Sequence, residues 1–230
     1  MPSDWTLSSL MRSPEALDRA GLRSAGFRPI AREEFGLDTI ELARSLVGSY
    51  LLYRSRLLRI TETEAYRGGD DPASHAFRGP TRRNAPMFGP PGHLYVYFTY
   101  GMHNCVNVVG ALEGEPSGVL IRAGELLTRD QESGRLVSDP DNSVLRSSAV
   151  GPGRLGRRVD ATVADSGMDT CFPGAPVCFL HDGNAPVGQA VGVSTRIGVS
   201  GGKELQWRFF DPGSRFVSPH PSGSNNHTFG

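Results

Sequence analysis

The chain has 230 residues and a formal net charge of zero, with 38% hydrophobic and 21% charged residues. This length and composition favour one well-buried globular domain over a disordered chain. No run reaches the roughly 18 apolar residues that a membrane-spanning helix needs. The zero charge excludes whole-molecule attraction to nucleic acid, so phosphate contacts would require a local basic patch.

The two ends of the chain differ in composition from its middle. Residues 1–26 have weak periodicity and are predicted to form a flexible N-terminal arm, with one short helix near residues 13–21. They do not resemble a secretory signal, so a cytoplasmic protein is expected. Residues 219–230 are rich in Ser, Asn, Gly and Pro, which predicts a disordered tail. A single domain is predicted between them, over residues 27–218.

The first clear element is a helix in the sequence FGLDTIELARSLVG. Asp38 can cap its first turn, Glu41 occupies the third helical position, and apolar residues recur at helical spacing. The predicted helix ends at Gly48. Two strands are predicted next, in YLLYR and LLRITETEAY, because β-branched and aromatic residues alternate there with polar ones.

The second of these strands carries two glutamates. Its alternation places Ile60, Glu62 and Glu64 on one face, with the two carboxylates about 7 Å apart. On an outward face both would simply be solvated. In a buried site, a desolvated carboxylate would gain basicity and could activate water.

A long loop rich in Gly and Pro follows at residues 67–92. Loops of this length in compact domains are functional or disordered, and its embedded aromatic residues favour an ordered one. Arg78, Arg82 and Arg83 cluster within it and are candidate phosphate contacts. Three exposed arginines on a solvated loop are an equally good interpretation.

The segment HLYVYFTYGMHNCVNVVG predicts a hairpin with its turn at Gly101. Tyr95 and Tyr97 share one face, where ordinary core packing would also explain them. Tyr100 and Met102 flank the turn, where an apolar side chain has little core to fill. They are candidate wedges, the residue types that insert between stacked bases.

The remaining chain predicts a strand in GVLIRAGEL, a polar surface excursion at residues 128–150 and a weak helix in GPGRLGRRV. Short strands are predicted in PVCFL, AVGVSTRIGV and LQWRFF. Three cysteines without zinc-site spacing indicate neither a disulfide framework nor a metal site, so no metal and no cofactor is expected. Lys203 is the only lysine, which disfavours Schiff-base chemistry.

The stretches RITETEAYRGGDDPASHAF, TRRNAPMFGPPGHLYVYFTYGMHNCVNVV and GVLIRAGE resemble the alkyladenine, or 3-methyladenine, DNA glycosylase family. The resemblance runs from about residue 27 to 127 and resumes weakly at GPGRL, TRIGV and WRFF. It implies a mixed α/β (α+β) single domain with a curved antiparallel β-sheet and surrounding helices. That fold is similar to the C-terminal domain of formyltransferases and lacks a helix-hairpin-helix. This chain departs from the family pattern at Gly156, where glycine is expected to loosen a helix.

The resemblance also implies roles for individual residues. Glu64 corresponds to the catalytic base, and Arg122 to the arginine that helps to hold the attacking water. Tyr100 corresponds to the residue that intercalates into the duplex. The base pocket corresponds to Tyr66 and Tyr97, which stack on the flipped base, His75, which hydrogen-bonds it, and Asn107, which excludes the exocyclic amine of guanine.

The function implied is a monofunctional DNA glycosylase that flips alkylated or deaminated purines out of duplex DNA, hydrolyses the N-glycosidic bond and leaves an abasic site for base excision repair. The expected partner is double-stranded DNA containing damaged purines, with no membrane contact, for a monomer in the bacterial cytoplasm or nucleoid. Two alternatives remain: a non-catalytic module that binds damaged DNA, and a small-molecule transferase or hydrolase suggested by the formyltransferase-like architecture.

Overall fold

The computed structural model describes residues 17, 19–99, 101, 103–143, 148–183 and 190–219, together with the backbone of residues 228–229. The predicted wedge residues Tyr100 and Met102 lie outside the described residues. So do most of the predicted N-terminal arm and of the predicted tail. The domain boundaries drawn from the sequence therefore stay predictions.

The α-helices of the described part are short. They are α1 (Arg19–Ser24), α2 (Arg32–Phe35), α3 (Thr39–Ser45) and α4 (Pro152–Arg158). None of the described helices is long and apolar enough to cross a membrane.

Strands dominate the described chain. They are β1 (Phe27–Pro29), β2 (Tyr50–Tyr53), β3 (Arg56–Arg67), β4 (Leu94–Thr99), β5 (His103–Val108), β6 (Ser117–Arg129), β7 (Leu136–Ser138), β8 (Ala149–Val150), β9 (Val177–Asp182), β10 (Gly192–Ser194), β11 (Arg208–Phe210) and β12 (Thr228–Phe229).

All of these strands join one antiparallel sheet, in which β3 is central. One edge of β3 pairs with β6, and its other edge pairs first with β2 and then with β11. Beyond β6 lie β5 and β4, and beyond β2 lie β9 and β1. Few helices and one open antiparallel sheet confirm the α+β single-domain prediction.

Helix α3 forms where the sequence predicted it. The Asp38 side chain accepts a hydrogen bond from the N–H of Ile40 at 2.9 Å and so caps the first turn. The helix ends before Gly48, the predicted end. Thr63 of β3 donates from its hydroxyl to the carbonyl of Ala43 at 2.7 Å, which ties α3 to the central strand.

The pairing of β3 with β6 contains irregularities that decide which side chains face the core. Thr61 is an extra residue of β3 between Ile60 and Glu62, and this bulge reverses the alternation. Ile60 therefore lies in the main hydrophobic core together with Ala65. The prediction that Ile60 shares a face with Glu62 and Glu64 was wrong because strand alternation assumes an unbroken ladder.

The predicted surface excursion at residues 128–150 is partly sheet. Strand β6 continues to Arg129, β7 returns along it, and β8 pairs with its middle. Residues 144–147 lie outside the described chain. Polarity misled the prediction because an edge hairpin with one solvated face is also polar.

Helix α4 packs directly against β5 through Gly156. A Cβ atom on Gly156 would lie 1.9 Å from the carbonyl oxygen of Asn104, closer than any real contact. The glycine expected to loosen this helix is therefore what allows α4 to approach the strand. At the start of α4, a Cβ atom on Gly153 would lie 2.6 Å from Cγ of the His103 ring, so this residue also allows the close approach.

We predict that Gly156→Ala destabilises the protein by about 1–3 kcal/mol, because overpacking against a backbone carbonyl exceeds the gain of about 1 kcal/mol in helix propensity. Urea unfolding measures the change. Gly69→Ala is the control, since a Cβ at Gly69 would meet nothing within 4 Å. Equal stability of the two variants would contradict the close approach of α4 and β5.

Candidate active site

A row of residues crosses five neighbouring strands at the centre of the site. Tyr95 pairs with Asn107, Asn107 with Leu120, Leu120 with Glu64, and Glu64 with Arg208. Adjacent strands lie about 4.8 Å apart, so the sheet brings together side chains that are far apart in the sequence.

A cavity of about 710 Å³ opens over this row. Five predicted site residues line it: Tyr66, His75, Tyr97, Asn107 and Arg122. The rest of the wall comes chiefly from residues 72–74, from the start of α4 at residues 151–154 and from the loop at residues 197–200. The structure thus brings five of the predicted site residues around one cavity.

Glu64 lies immediately behind this wall and is fully buried. Its Oε1 accepts from the N–H of Ile197 at 2.7 Å. Its Oε2 accepts from the Tyr66 hydroxyl at 2.9 Å and from Nη1 of Arg122 at 3.3 Å. Because Tyr66 and Arg122 both line the cavity, one hydrogen bond separates the carboxylate from it.

The surroundings of Glu64 make it more basic than an ordinary carboxylate. Burial raises the pKa of the Glu64 carboxyl, since desolvation disfavours the charged form. Arg122, the Ile197 N–H and the Tyr66 hydroxyl lower the same pKa, but desolvation is the larger effect. The arrangement suits a group that accepts a proton.

Glu62, the other glutamate, is bound entirely within the protein. Its Oε1 accepts from Nε of Arg122 at 2.9 Å and from Nε of Arg208 at 2.6 Å. Its Oε2 accepts from the N–H of Ser218 at 2.7 Å. Glu62 therefore orients Arg122 and does not face the cavity.

Arg122 reaches both glutamates because of a second irregularity in the β3–β6 pairing. Glu62 pairs with Ala123 and Thr63 with Ile121, which leaves Arg122 as an extra residue of β6. A bulge of this kind changes the direction of a side chain. Here the guanidinium lies between the two carboxylates.

Aromatic side chains form one side of the cavity. The rings of Tyr95 and Tyr97 lie 5.4 Å apart, and His75 meets Tyr97 edge-on at 4.5 Å. Nδ1 of His75 lies 2.9 Å from the Tyr95 hydroxyl. Burial lowers the pKa of His75 and raises the pKa values of Tyr66 and Tyr97, which keeps all three rings uncharged at neutral pH.

The three predicted phosphate-contact arginines are exposed and lie outside the cavity wall. Arg83 donates from Nη2 to the carbonyl of Phe98 at 3.0 Å, and its guanidinium lies 5.5 Å from the centre of the Tyr97 ring. Arg78 and Arg82 belong to the same loop. The structure thus brings Arg83 beside the β4–β5 hairpin.

Several residues that hold the site were not predicted: Tyr95, Asp71, Arg196, Ile197 and Arg208. Arg196 and Arg208 belong to the segments TRIGV and WRFF, where the family resemblance resumes weakly. That weak resumption was the available signal. Alternation could not reveal Arg208, because β11 has only three residues, and it does not apply to Asp71, Arg196 and Ile197, which lie outside the strands.

Comparison with known proteins gives a consistent result. The family model described as methylpurine-DNA glycosylase matches residues 33–215. A Streptomyces avermitilis protein is 42% identical over 200 residues, covering 84% of this chain and 92% of the relative. A Leifsonia xyli protein is 42% identical over 212 residues, covering 85% of this chain and 94% of the relative. A Methanocella arvoryzae protein is 40% identical over 201 residues, covering 84% of this chain and 98% of the relative. Each relative carries the provisional name 3-methyladenine DNA glycosylase.

We predict that Glu62→Ala costs about 3–5 kcal/mol of unfolding free energy, because it leaves buried Arg208 without its carboxylate partner. Urea unfolding again provides the measurement. Arg56→Ala is the control, since its ion pair with Asp160 is exposed and worth about 0–1 kcal/mol. A loss below about 1 kcal/mol in Glu62→Ala would contradict a tightly bound internal glutamate.

Proposed function

This chain belongs to the methylpurine-DNA glycosylase family, and on that premise we propose that it flips damaged purines out of duplex DNA and hydrolyses their N-glycosidic bond with Glu64 as the base. The observation that carries this proposal is the buried Glu64 carboxylate, paired with Arg122 one hydrogen bond behind an aromatic-lined cavity.

The chemistry assigned to Glu64 is activation of water. The carboxylate takes a proton from water while the water oxygen bonds to C1′ of the sugar. The N-glycosidic bond breaks, and its electron pair leaves with the base. Arg122 lines the cavity and contacts Glu64, so it is the group placed to orient that water.

Water must gain access to the carboxylate for this step. Oε2 of Glu64 is covered by the Tyr66 hydroxyl and by Arg122, both of which line the cavity. We propose that the hydrogen bond from the Tyr66 hydroxyl to Oε2 of Glu64 breaks when the flipped nucleotide enters. The ring of Tyr66 can then stack on the base while Oε2 accepts the water.

The uncharged aromatic wall favours cationic bases. Alkylation gives 3-methyladenine and 7-methylguanine a positive charge, and cation–π attraction to tyrosine faces contributes on the order of 1–2 kcal/mol. Such a base leaves without prior protonation, so one carboxylate suffices. Neutral deaminated purines such as hypoxanthine need a proton, which His75 is poorly suited to supply because burial lowers its pKa.

We assign the DNA contacts to the hairpin and its neighbouring loop. The β4–β5 hairpin carries the proposed wedge, Tyr100 with Met102. Arg78, Arg82 and Arg83 supply a local positive patch, and the exposed Arg83 lies beside that hairpin. An extruded base would then enter the cavity while the wedge fills its place in the stack.

The test is single-turnover base release from methylated DNA and from a duplex with one hypoxanthine, comparing the native chain with Glu64→Gln. We expect the native chain to release methylated bases and to release hypoxanthine more slowly, with a loss of at least about 10²–10⁴-fold in the variant, the range for a general base. Duplex binding should persist. The product strand should stay intact until alkali is added, because the described hydrogen-bond partners of Glu64 include no lysine that could form a Schiff base.

Other outcomes identify the alternatives. Binding of damaged duplex without release by the native chain would establish a non-catalytic binding module. Release that is equal in Glu64→Gln would remove Glu64 from the mechanism. Strand scission without alkali, together with borohydride trapping at Lys203, would show that the enzyme is not monofunctional.

We also predict that duplex affinity falls steeply with salt, since the formal net charge is zero and binding must depend on local arginines. Replacing Arg82 and Arg83 with alanine should lower the slope of log K against log salt by about 0.9 for each phosphate that the variant no longer neutralises. Arg28→Ala is the control, because Arg28 is exposed on β1, which lies at the sheet edge opposite to β4. An unchanged slope would exclude this loop from phosphate binding.

A further inference from the structure

A buried ion pair lies beside the cavity without facing it. Nη1 and Nη2 of Arg196 donate to Oδ2 and Oδ1 of Asp71 at 2.6 and 2.8 Å, and both side chains are fully buried. Nε of Arg196 is buried and has no hydrogen-bond partner among the described residues. Because a buried pair is weak support for stability, its location calls for a functional explanation.

Arg196 covers one face of the Tyr66 ring. Its guanidinium carbon lies 4.8 Å from the centre of the Tyr66 ring and 5.1 Å from that of Trp207. Nη1 also donates at 2.9 Å to the carbonyl of Ala65, the residue between Glu64 and Tyr66. A base stacked on Tyr66 must therefore use the other face, with the guanidinium as a rigid support.

The same arginine fixes a hydrogen bond to the proposed base. The residue after Arg196 is Ile197, whose N–H donates to Oε1 of Glu64 at 2.7 Å. This bond is shorter than those that the same carboxylate accepts from Tyr66 and Arg122. A shift of the Arg196 backbone would move this donor, because the Ile197 N–H belongs to the peptide unit that joins the two residues.

Asp71 extends the connection to a second part of the wall. Its carboxylate accepts from the N–H of Arg67 at 3.2 Å and of Ala73 at 3.0 Å, which fixes the turn leading to His75. The two loops also touch, since a Cβ on Gly201 would lie 2.7 Å from Cβ of Pro72. The ion pair thus joins the loop of His75 to the loop of Ile197.

We propose that Arg196 is a positioning residue that couples base binding to water activation: its ion pair with Asp71 holds Tyr66 against the flipped base and the Ile197 N–H against Glu64 as one unit. This inference rests on the proposed function of Glu64. It assigns Arg196 no contact with substrate.

The best variant is Arg196→Lys, which keeps the positive charge. Lysine cannot form the two-point contact with Asp71 or lie flat against Tyr66. We expect the concentration for half-maximal base release under single-turnover conditions to rise about ten-fold, because Tyr66 loses its support. Arg196→Met should produce a larger increase if it folds.

The pH profile provides a readout that general destabilisation does not move. Release requires ionised Glu64, and the Ile197 N–H stabilises the ionised form. Loosening that hydrogen bond raises the already elevated pKa of Glu64, so the acid limb of the rate profile should move to higher pH. The other charged or titratable groups around Glu64 are unchanged in this variant: Arg122, Glu62, Tyr66, Tyr97 and Arg208.

Arg54→Lys is a matched control. Arg54 also pairs with a buried aspartate, Asp165, at 2.6 Å and lies 5.0 Å from the ring of Tyr53. None of these three residues lines the cavity. This pair is more exposed than that of Arg196, with 43% of the Arg54 side chain accessible, so the control tests the same substitution away from the cavity. It should show neither the affinity change nor the pH shift.

Amide hydrogen exchange at Ile197 separates this inference from the proposed function. Exchange there should be faster in Arg196→Lys than in the native chain or in Arg54→Lys, whether or not base is released. The positioning role would be overturned if the native chain is active and Arg196→Lys leaves three quantities unchanged. These are the concentration for half-maximal release, the acid limb of the rate profile and the exchange rate at Ile197. If the native chain releases no base, the proposed function of Glu64 is wrong. The rate of amide exchange at Ile197 would still show whether Arg196 holds that residue in place.

Discussion

Compensation of two buried carboxylates is the constraint on which the site depends. Glu62 and Glu64 are fully buried on β3, the central strand of the sheet. Isolated charges there would be too costly to bury, so arginines must reach them from other strands. Arg122 on β6 and Arg208 on β11 do so, which gives one network of two carboxylates and two guanidinium groups. The strands on both edges of β3 are thereby fixed by charge as well as by their backbone ladders.

The network also explains why the two glutamates differ in chemistry. Glu62 accepts hydrogen bonds from two arginines and a backbone N–H, so it is committed to structure. Glu64 shares Arg122 through a longer contact of 3.3 Å, and its remaining partners are a hydroxyl and a backbone N–H. Glu64 is thus the carboxylate that accepts a hydrogen bond from a hydroxyl of the cavity wall, that of Tyr66. One arginine, placed by a bulge, divides the roles.

The sequence predicts local features of this arrangement well. Asp38 caps α3 because an N-cap bond spans only two residues, and the hairpin of β4 and β5 forms around Gly101 for the same local reason. The bulges at Thr61 and Arg122 were not predictable, since they depend on how β3 and β6 pair across some sixty residues. Arg208 escaped prediction similarly, because only the sheet shows that β11 lies beside Glu64. Arg196 escaped prediction because its partner, Asp71, is 125 residues away in the sequence.

Burial of Glu64 has a cost in stability that the contacts around the site must offset. A raised pKa at Glu64 means that the folded state disfavours the ionised carboxylate relative to an exposed one, so ionisation of this group lowers stability as pH rises through its pKa. The surrounding contacts must offset that cost. Gly156 lets α4 approach β5 closely, and Arg196 joins two loops of the cavity wall. Both contacts hold parts of the cavity wall around Glu64, and the desolvation of Glu64 behind that wall is what raises its pKa.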